Sequence, residues 1–366
     1  MTVGCAVSFS LETLYFRRSQ DSPFRDISML GVRVFGWIPF ILLFLCSDVS
    51  VAYTMPLTQQ MDPPMDETTK AWNIPFPTLG GKQFWTDYRW WYGWKVQYNS
   101  TLGHWRLLDP KGIRRAWGGK QAMLGELERA KAMAPPSIEY DEVILLAHGL
   151  FRTHGSMMPI AEELRRMESV EVDRHATKRI CVAMAYASTR DSIDHHSAAM
   201  RELLENLPGK PRISFVGHSL GNIVFRHAIG EWQRNGDPEG VLKRLNRAVM
   251  LGPPNNGSAF AAQLSKLGLF ETLTGSSGVH LGPSWEKLQA SLGVPPCPFA
   301  IVIGDVSGSA IQNPFLEGPS DGVVTVEEAK LDGATEIKTF PTVHSFLMSN
   351  EEIVRSVVSF LVGKGL

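Results

Sequence analysis

The segment Ile213–Asn222, which reads ISFVGHSLGN, constrains the possible folds of this chain more than any other stretch. A short apolar run leads into the pattern Gly-x-Ser-x-Gly, and an apolar helix-like pattern follows. A chain that reverses this sharply from strand to helix strains the backbone of Ser219, and Gly217 and Gly221 avoid collisions because they carry no side chain. The pattern predicts an elbow that presents the Ser219 hydroxyl at the positive end of a helix. The alternative is a Gly-rich loop in an unrelated α/β protein.

Short apolar strands alternate with helix-like segments from Glu142 to the end of the chain. This alternation predicts an α/β fold, with a mostly parallel sheet covered by helices on both faces. In such sheets, functional residues gather at the carboxyl ends of the strands. The predicted strands are Val143–Ala147, Ile180–Ala187, the strand that leads into the elbow, Arg247–Leu251, Phe299–Ile303 and Ile337–Phe340.

A serine hydroxyl at this edge needs partners, because it is a poor nucleophile at neutral pH. It requires a base within hydrogen-bond reach, and the base requires a carboxylate that orients it. His344 is the predicted base, since it follows the last strand and precedes the last helix. His218 is expected to pack beside the elbow, and His195 and His196, which open a helix, are expected to be solvated.

The orienting carboxylate is predicted to be Asp321, with Asp305 as the rival candidate. Asp321 is followed by Gly322, which allows a tight turn, and then by two valines that lead the chain back into the core. Asp305 comes directly after an apolar strand and lacks this context. Either residue gives the chain order Ser, Asp, His, which is one of the known orders of a catalytic triad.

Negative charge that develops on a substrate oxygen needs two backbone donors. The first predicted donor is the N–H of Leu220, the residue after the predicted nucleophile. The second is the N–H of Leu150, in the loop His148-Gly149-Leu150 that follows the first strand of the sheet. Gly149 lets the backbone approach a substrate, so His148 and Gly149 are predicted to contact it. A plain turn at this point is the alternative.

These motifs resemble those of the bacterial triacylglycerol lipases and esterases of the α/β-hydrolase superfamily. The resemblance rests on Gly-His-Ser-Leu-Gly, the upstream His-Gly-Leu, and Asp-Gly-Val-Val followed by a loop His, and it covers roughly residues 140–366. It implies an α/β-hydrolase fold and carboxylic-ester hydrolysis through an acyl-enzyme, with no redox cofactor. An acyltransferase, or a non-catalytic binding module on the same fold, remains the alternative.

The loop Gly252–Ser258 is similar to the Gly-Thr-Pro-His-x-Gly-Ser loop of that family, but it departs from it at Pro253 and Asn255. Some family members hold a structural calcium ion. The sequence shows no clustered carboxylates that would demand one, so no metal ion is expected.

The insertion of residues 259–294 begins just beyond the carboxyl end of a predicted strand and is expected to form a lid or cap over Ser219. Its apolar residues recur at three- and four-residue spacing and predict one apolar helical face. In a lid, this face would cover the site, and Phe270 would contact the substrate. A fixed helix with its face in the core is the alternative. The residues of this face are Phe260, Leu264, Leu267, Phe270 and Leu273.

Residues 1–52 have the features of a secretory signal peptide. Arg33 precedes an apolar run, Phe35–Leu45, and the small-x-small sequence Ser50-Val51-Ala52 follows it. The run is shorter than the roughly 20 residues that a membrane-spanning helix needs. The sequence therefore predicts export, to the periplasm or beyond the cell, and Met29 is an alternative start of translation. A retained membrane anchor is the alternative, and residues 53–70 are expected to be a flexible leader.

Tryptophan is concentrated between residues 71 and 117, which contain seven of the ten tryptophans. Trp94, Val96 and Tyr98 alternate with polar residues, a turn-forming stretch follows, and Trp105 and Leu107 continue the alternation. This predicts an antiparallel hairpin at the sheet edge. We expect the tryptophans to pack in a core, with a carbohydrate- or lipid-stacking surface as the alternative.

Charge and cysteine content narrow the possible partners. The chain has 36 basic and 37 acidic residues, a formal net charge of −1, so nothing in its charge favours nucleic acid or an anionic membrane surface. The expected partner is an ester or lipid substrate, with transient contact to a lipid interface.

Cys181 and Cys297, which lie beyond the predicted signal peptide, are expected to be buried free thiols, although a disulfide in an exported protein is possible.

Overall fold

The computed structural model describes residues 76–77, 82–134, 139–170, 177–259, 262, 285–309 and 313–366. Its strands are β1 Phe76–Pro77, β2 Thr86–Trp91, β3 Trp94–Asn99, β4 His104–Leu108, β5 Ile113–Gly118, β6 Glu142–Ala147, β7 Arg179–Met184, β8 Arg212–His218, β9 Leu245–Leu251, β10 Phe299–Gly304 and β11 Glu336–Phe340. Its α-helices are α1 Lys120–Met133, α2 Met158–Val170, α3 Ile193–Glu205, α4 Leu220–Asn235, α5 Val241–Arg244, α6 Trp285–Gln289, α7 Val326–Ala329 and α8 Glu351–Leu361.

A parallel sheet forms the centre of the described chain, in the order β11-β10-β9-β8-β6-β7. All of its neighbouring strands pair in parallel. Strands buried on both faces are apolar throughout, and β6 and β10 are buried along their whole length. The chain runs outward from β6 to β7 and then returns to the other side of β6 as β8. This reversal creates a topological switch point between β6 and β8, where ligand sites of such sheets lie.

Helices cover both faces of this sheet. On one face, α2 packs against α8, and the buried side of α8 joins the core cluster that contains Val216 of β8. On the other face, Phe225 of α4 stacks on Phe215 of β8 with ring centroids 3.8 Å apart, and α3 packs against α4. Successive strand residues point to opposite faces, so Phe215 and Val216 mark the two layers. The apolar face predicted for the last helix is confirmed as buried: Ile353, Val354, Val357, Val358 and Leu361.

The Trp-rich segment forms an antiparallel sheet of its own, in the order β1-β5-β4-β3-β2. The predicted hairpin is present as β3–β4. Three further pairings, of β2 with β3, β4 with β5 and β1 with β5, extend it into a sheet separate from the parallel one, so the predicted position at the edge of the parallel sheet is wrong. Val96, Leu107 and Ala116 form its core together with Met123 and Leu127 of α1. The tryptophans that pack against this core are Trp91, Trp94 and Trp105, and all three are half-buried.

Asp87 of β2 joins the two sheets. Its backbone N–H donates to the carbonyl of Ala185, just after β7, and its Oδ2 accepts from the N–H of Ala185, both at 2.9 Å. The same oxygen accepts from Nζ of Lys95 at 2.8 Å, and Oδ1 accepts from Nε2 of Gln97 at 2.6 Å. A fully buried carboxylate is stable only when paired and hydrogen-bonded, and Asp87 meets both conditions.

Several predicted segments lie outside the described residues. They are the signal peptide at 1–52, the leader at 53–70, and most of the insertion at 259–294, including Phe270. Among the described helices, none combines the length and the apolar character that crossing a membrane requires. Cys297 is a free thiol, and Cys181 and Cys297 are both half-buried rather than fully buried as expected. Burial raises the pKa of the Cys297 thiol to about 12.

Candidate active site

The predicted elbow is present between β8 and α4. Ser219 has φ 51° and ψ −119°, a conformation that side-chain-bearing residues rarely adopt, and it forms the N-cap of α4. A Cβ on Gly217 would lie 2.3 Å from Oδ1 of Asn222, and a Cβ on Gly221 would lie 2.6 Å from the carbonyl oxygen of Ala147. Both positions therefore require glycine. Ser219 is half-buried, so its hydroxyl is held at the sheet edge within reach of solvent.

The structure pairs His344 with Asp321. Nδ1 of His344 lies 2.6 Å from Oδ2 of Asp321, and the backbone N–H of His344 donates to the Asp321 carbonyl at 2.9 Å. The remaining carboxylate oxygen, Oδ1, accepts from the N–H groups of Val323 at 3.0 Å and Val324 at 2.8 Å. A carboxylate can only accept here, so Nδ1 carries the proton and Nε2 is left free to act as a base.

Asp305, the rival carboxylate, is placed differently. Its Oδ1 accepts from the N–H of Ser307 at 2.9 Å, within its own loop. Its backbone N–H donates to the carbonyl of Phe340 at 2.8 Å. Of the two candidates, it is Asp321 that contacts the histidine.

Two backbone positions after β9 bring the nucleophile and the base together. The N–H of Ser219 donates to the carbonyl of Leu251 at 2.9 Å. A Cβ on the next residue, Gly252, would lie 2.9 Å from ring atoms of His344. Ser219 and His344 therefore lie against consecutive residues of one strand end, and the sequence prediction that this edge collects them agrees with the structure.

His218 links the elbow directly to the loop of the base. Its Nε2 lies 3.0 Å from the carbonyl oxygen of His344, and the two ring centroids are 4.7 Å apart. A carbonyl accepts, so Nε2 of His218 is the donor and carries the proton. Burial, and secondly the neighbouring His344, lower the pKa of His218 far below its ordinary value. The sequence predicted only packing for this residue, whereas the structure adds a hydrogen bond that holds the histidine loop.

The loop predicted to supply the second oxyanion donor faces the elbow across the switch point. A Cβ on Gly149 would lie 3.1 Å from Cβ of Ser219, so the backbone of this loop passes beside the serine. Leu150 follows Gly149, and Leu220 is the first residue of α4. The two predicted donor residues thus follow the ends of neighbouring strands, Leu150 after β6 and Leu220 after β8.

The side chain of His148 does not take the predicted position against a substrate. It is 1% exposed, and its ring stacks on the ring of Tyr186 with centroids 4.0 Å apart. Its Nδ1 lies 2.8 Å from the carbonyl oxygen of Gly149. The structure therefore gives the imidazole a packing position.

The expectation that His196 is solvated is wrong. Its side chain is fully buried, with its ring centroid 4.9 Å from that of Tyr186. Burial is the largest cause that lowers the pKa of His196 to about 3, and burial also lowers the pKa of His148 to about 4. His195 is exposed as expected.

Tyr186 is the residue that sequence reasoning missed. It lies two residues beyond β7 and is buried between the rings of His148 and His196. The available signal was its position at the carboxyl end of the predicted strand Ile180–Ala187. That end belongs to the same sheet edge as Ser219, and a tyrosine there brings a hydrogen-bond donor close to the site.

In the loop Gly252–Ser258, Asn255 departs from the family pattern and has a structural role. Asn255 is buried, and both its backbone carbonyl and its Oδ1 accept from Nη1 of Arg226, at 3.1 and 3.0 Å. Its Nδ2 donates to the carbonyl of Ala329 at 2.8 Å. Within the part of the chain that the structure describes, no three His, Cys, Asp or Glu side chains are grouped so that they could hold a metal ion.

Residues 137–271, just over a third of the chain, match the family described as "Putative serine esterase (DUF676)". This match supports the predicted enzyme class, a serine ester hydrolase, over this range. The matched range includes Ser219 and the loop at residues 148–150, and it ends before Asp321 and His344. No curated protein sequence matches the chain.

Solved structures of bacterial hydrolases are similar to this chain. The mature Bacillus licheniformis lipase BlEst2 is 18% identical over 62% of this chain and 94% of its own, with a TM-score of 0.44. The Legionella pneumophila phospholipase PlaB is 20% identical over 52% of this chain and 45% of its own, with a TM-score of 0.40. The metagenomic carboxyl esterase MGS0156 is 13% identical over 63% of this chain and 78% of its own, with a TM-score of 0.43.

The buried histidines predict how stability depends on pH. The folded-state pKa of His196, about 3, lies below the value of about 6.5 for an unfolded histidine, so only the unfolded state takes up a proton between these values. The free energy of unfolding should therefore be unaffected above pH 6.5 and fall as the pH drops below it, by up to about 1.4 kcal/mol per pH unit for each such histidine.

Urea unfolding between pH 7.5 and pH 5 measures this dependence. His196→Met should make the decline between pH 6.5 and pH 5 shallower by about 1 kcal/mol per pH unit. His195→Met is the matched control, because the neighbouring histidine is exposed and should leave the slope as it is. Equal slopes for the two variants would contradict the prediction.

Proposed function

We propose that this protein hydrolyses carboxylic esters through an acyl-enzyme formed on Ser219, with His344 as the general base and Asp321 as the residue that orients it. The single observation that carries this proposal is the 2.6 Å contact between Nδ1 of His344 and Oδ2 of Asp321. That contact fixes the imidazole tautomer whose Nε2 can take a proton from a serine hydroxyl. The strained elbow and the shared strand end at Leu251 and Gly252 support the assignment of Ser219 as the nucleophile.

The proposed reaction has two steps. In the first, Nε2 of His344 removes the hydroxyl proton while Oγ of Ser219 attacks the ester carbonyl carbon, and the imidazolium then protonates the departing alcohol. In the second, His344 removes a proton from water, which attacks the acyl carbonyl carbon, and the imidazolium returns that proton to Oγ of Ser219 as the acyl C–O bond breaks and the acid leaves. The N–H groups of Leu220 and Leu150 stabilise the oxyanion in both steps, and Asp321 stabilises the imidazolium.

We further propose that the substrates are lipid esters, because the motifs resemble those of triacylglycerol lipases. An acyltransferase would use the same acyl-enzyme with an alcohol in place of water. Hydrolysis of p-nitrophenyl esters of increasing acyl length, with and without a competing alcohol, separates the two by their products. Each additional buried methylene contributes about 0.8 kcal/mol, so a chain-length preference should be visible in kcat/KM.

Export is proposed from the sequence alone, on the order of Arg33, the apolar run Phe35–Leu45 and the small-x-small site ending at Ala52. N-terminal sequencing of the protein recovered outside the cytoplasm should give a first residue near Tyr53. A chain that keeps its N-terminal segment in the membrane fraction would mean an anchor instead.

Ser219→Ala should abolish ester hydrolysis and leave the fold intact, because alanine retains the Cβ but has no nucleophilic oxygen. Steady-state hydrolysis of p-nitrophenyl butyrate and the circular dichroism spectrum measure the two effects. The wild-type protein should be labelled by a fluorophosphonate on the peptide that contains Ser219. Labelling at another serine would show that Ser219 is not the nucleophile.

Asp321→Asn should lower kcat on the order of 10⁴-fold, because an amide does not hold His344 in the correct tautomer or stabilise its positive charge. Asp305→Asn is the matched control, since this carboxylate contacts Ser307 in its own loop. It should retain nearly full activity. If Asp305→Asn causes the large loss of kcat and Asp321→Asn only a small one, the proposed triad is wrong.

A further inference from the structure

The main chain on both sides of Tyr186 is bonded to the Trp-rich sheet. Ala185 and Asp87 exchange two hydrogen bonds of 2.9 Å, one of them through the Asp87 carboxylate. On the other side, the N–H of Ala187 donates to Oγ1 of Thr86 at 3.2 Å. Strand β2 therefore clamps the three residues from Ala185 to Ala187, and Tyr186 projects from a fixed piece of backbone.

Tyr186 makes two contacts with His148. Its hydroxyl donates to the carbonyl of His148, and its ring stacks on the imidazole with centroids 4.0 Å apart. Tyr186 is 1% exposed, and burial raises the pKa of its hydroxyl well above the ordinary value, so the group stays protonated and remains a donor. Both the backbone and the side chain of His148 are thus held by one tyrosine.

The His148 imidazole in turn fixes the peptide that carries the predicted oxyanion donor. Its Nδ1 lies 2.8 Å from the carbonyl oxygen of Gly149, which also accepts from the N–H of Arg152 at 3.2 Å. A peptide bond is planar and trans, so the N–H of Leu150 points opposite to the Gly149 carbonyl. Any tilt of the His148 ring would therefore change the direction in which the Leu150 N–H points.

We propose that Tyr186 is a positioning residue for the oxyanion hole, acting through His148 on the peptide between Gly149 and Leu150. The inference rests on the proposed function, because it assigns a part of the same site. It also gives the Trp-rich sheet a role in catalysis: the sheet fixes the backbone from which Tyr186 reaches the oxyanion loop. Tyr186 itself contacts His148 and has no predicted contact with the substrate.

Tyr186→Phe tests the proposal, because it removes the hydroxyl bond and keeps the stacked ring. Removal of one oxyanion donor costs about 10²- to 10³-fold in kcat, so a misdirected donor should cost less, on the order of tenfold. We expect kcat for p-nitrophenyl butyrate to fall by this factor with KM within about twofold of the wild-type value. Affinity for a trifluoromethyl ketone, whose adduct with Ser219 places an oxyanion in the hole, should fall in parallel.

Two further measurements separate this role from a merely structural one. The acidic limb of the pH profile of kcat/KM should stay in place, since His344 and Asp321 are untouched. Tyr98→Phe is the matched control, because this tyrosine packs against Tyr88 and Trp105 in the Trp-rich sheet, away from the oxyanion loop. It should leave kcat, KM and inhibitor affinity unchanged.

Thr86→Val provides a second test if Tyr186→Phe does not fold. It removes the acceptor for the N–H of Ala187 at nearly constant volume, and kcat and inhibitor affinity should both fall about threefold. Tyr186→Phe with wild-type kcat and inhibitor affinity, or with only KM or stability changed, would overturn the inference while ester hydrolysis by the wild type stands. If the wild type neither hydrolyses esters nor binds the trifluoromethyl ketone, the proposed function and the inference fall together.

Discussion

The positive φ of Ser219 is the constraint on which the rest of the site depends. A residue with a side chain is strained there by about 1–3 kcal/mol, and it stays there only when its surroundings leave no alternative. The surroundings are the close approach of Gly221 to the Ala147 carbonyl, the crowding at Gly217, and the hydrogen bond from Ser219 to Leu251. The burial of β6 and β8 on both faces holds these contacts together, so the apolar core stabilises a conformation that the serine would not adopt alone.

The switch point between β6 and β8 explains why the groups of the site converge. Each comes from a segment that follows a different strand: the loop at residues 148–150 after β6, Ser219 after β8, Gly252 after β9 and His344 after β11. A parallel sheet places all of these ends at one edge. Asp321 lies at the same edge. The N–H groups of Val323 and Val324 donate to its carboxylate and hold it in place beside His344.

The sequence predicted the parts of the site that short local patterns encode. Gly217 and Gly221 mark the elbow because no other residue fits, and Gly322 marked Asp321 over Asp305 because a tight turn follows the carboxylate. The buried state of His196, the bond from His218 to His344 and the contact of Tyr186 with His148 were not predicted. Each depends on a partner distant in sequence, and a single chain read by periodicity does not reveal which loop lies opposite. For the Trp-rich segment the sequence predicted only the β3–β4 hairpin. The pairings of β2 with β3 and of β4 with β5, which are local, and of β1 with β5, which is not, were not predicted.

Detection of the acyl-enzyme tests directly whether Ser219 carries the acyl group during ester hydrolysis. The protein would be mixed with a p-nitrophenyl ester, quenched in acid within milliseconds to seconds, digested and mapped by mass spectrometry. We predict an added acyl mass on the peptide that contains Ser219, formed together with a burst of p-nitrophenol and lost as the product acid appears. Turnover with the acyl group on another residue, or ester hydrolysis by the Ser219→Ala variant at the wild-type rate, would contradict it.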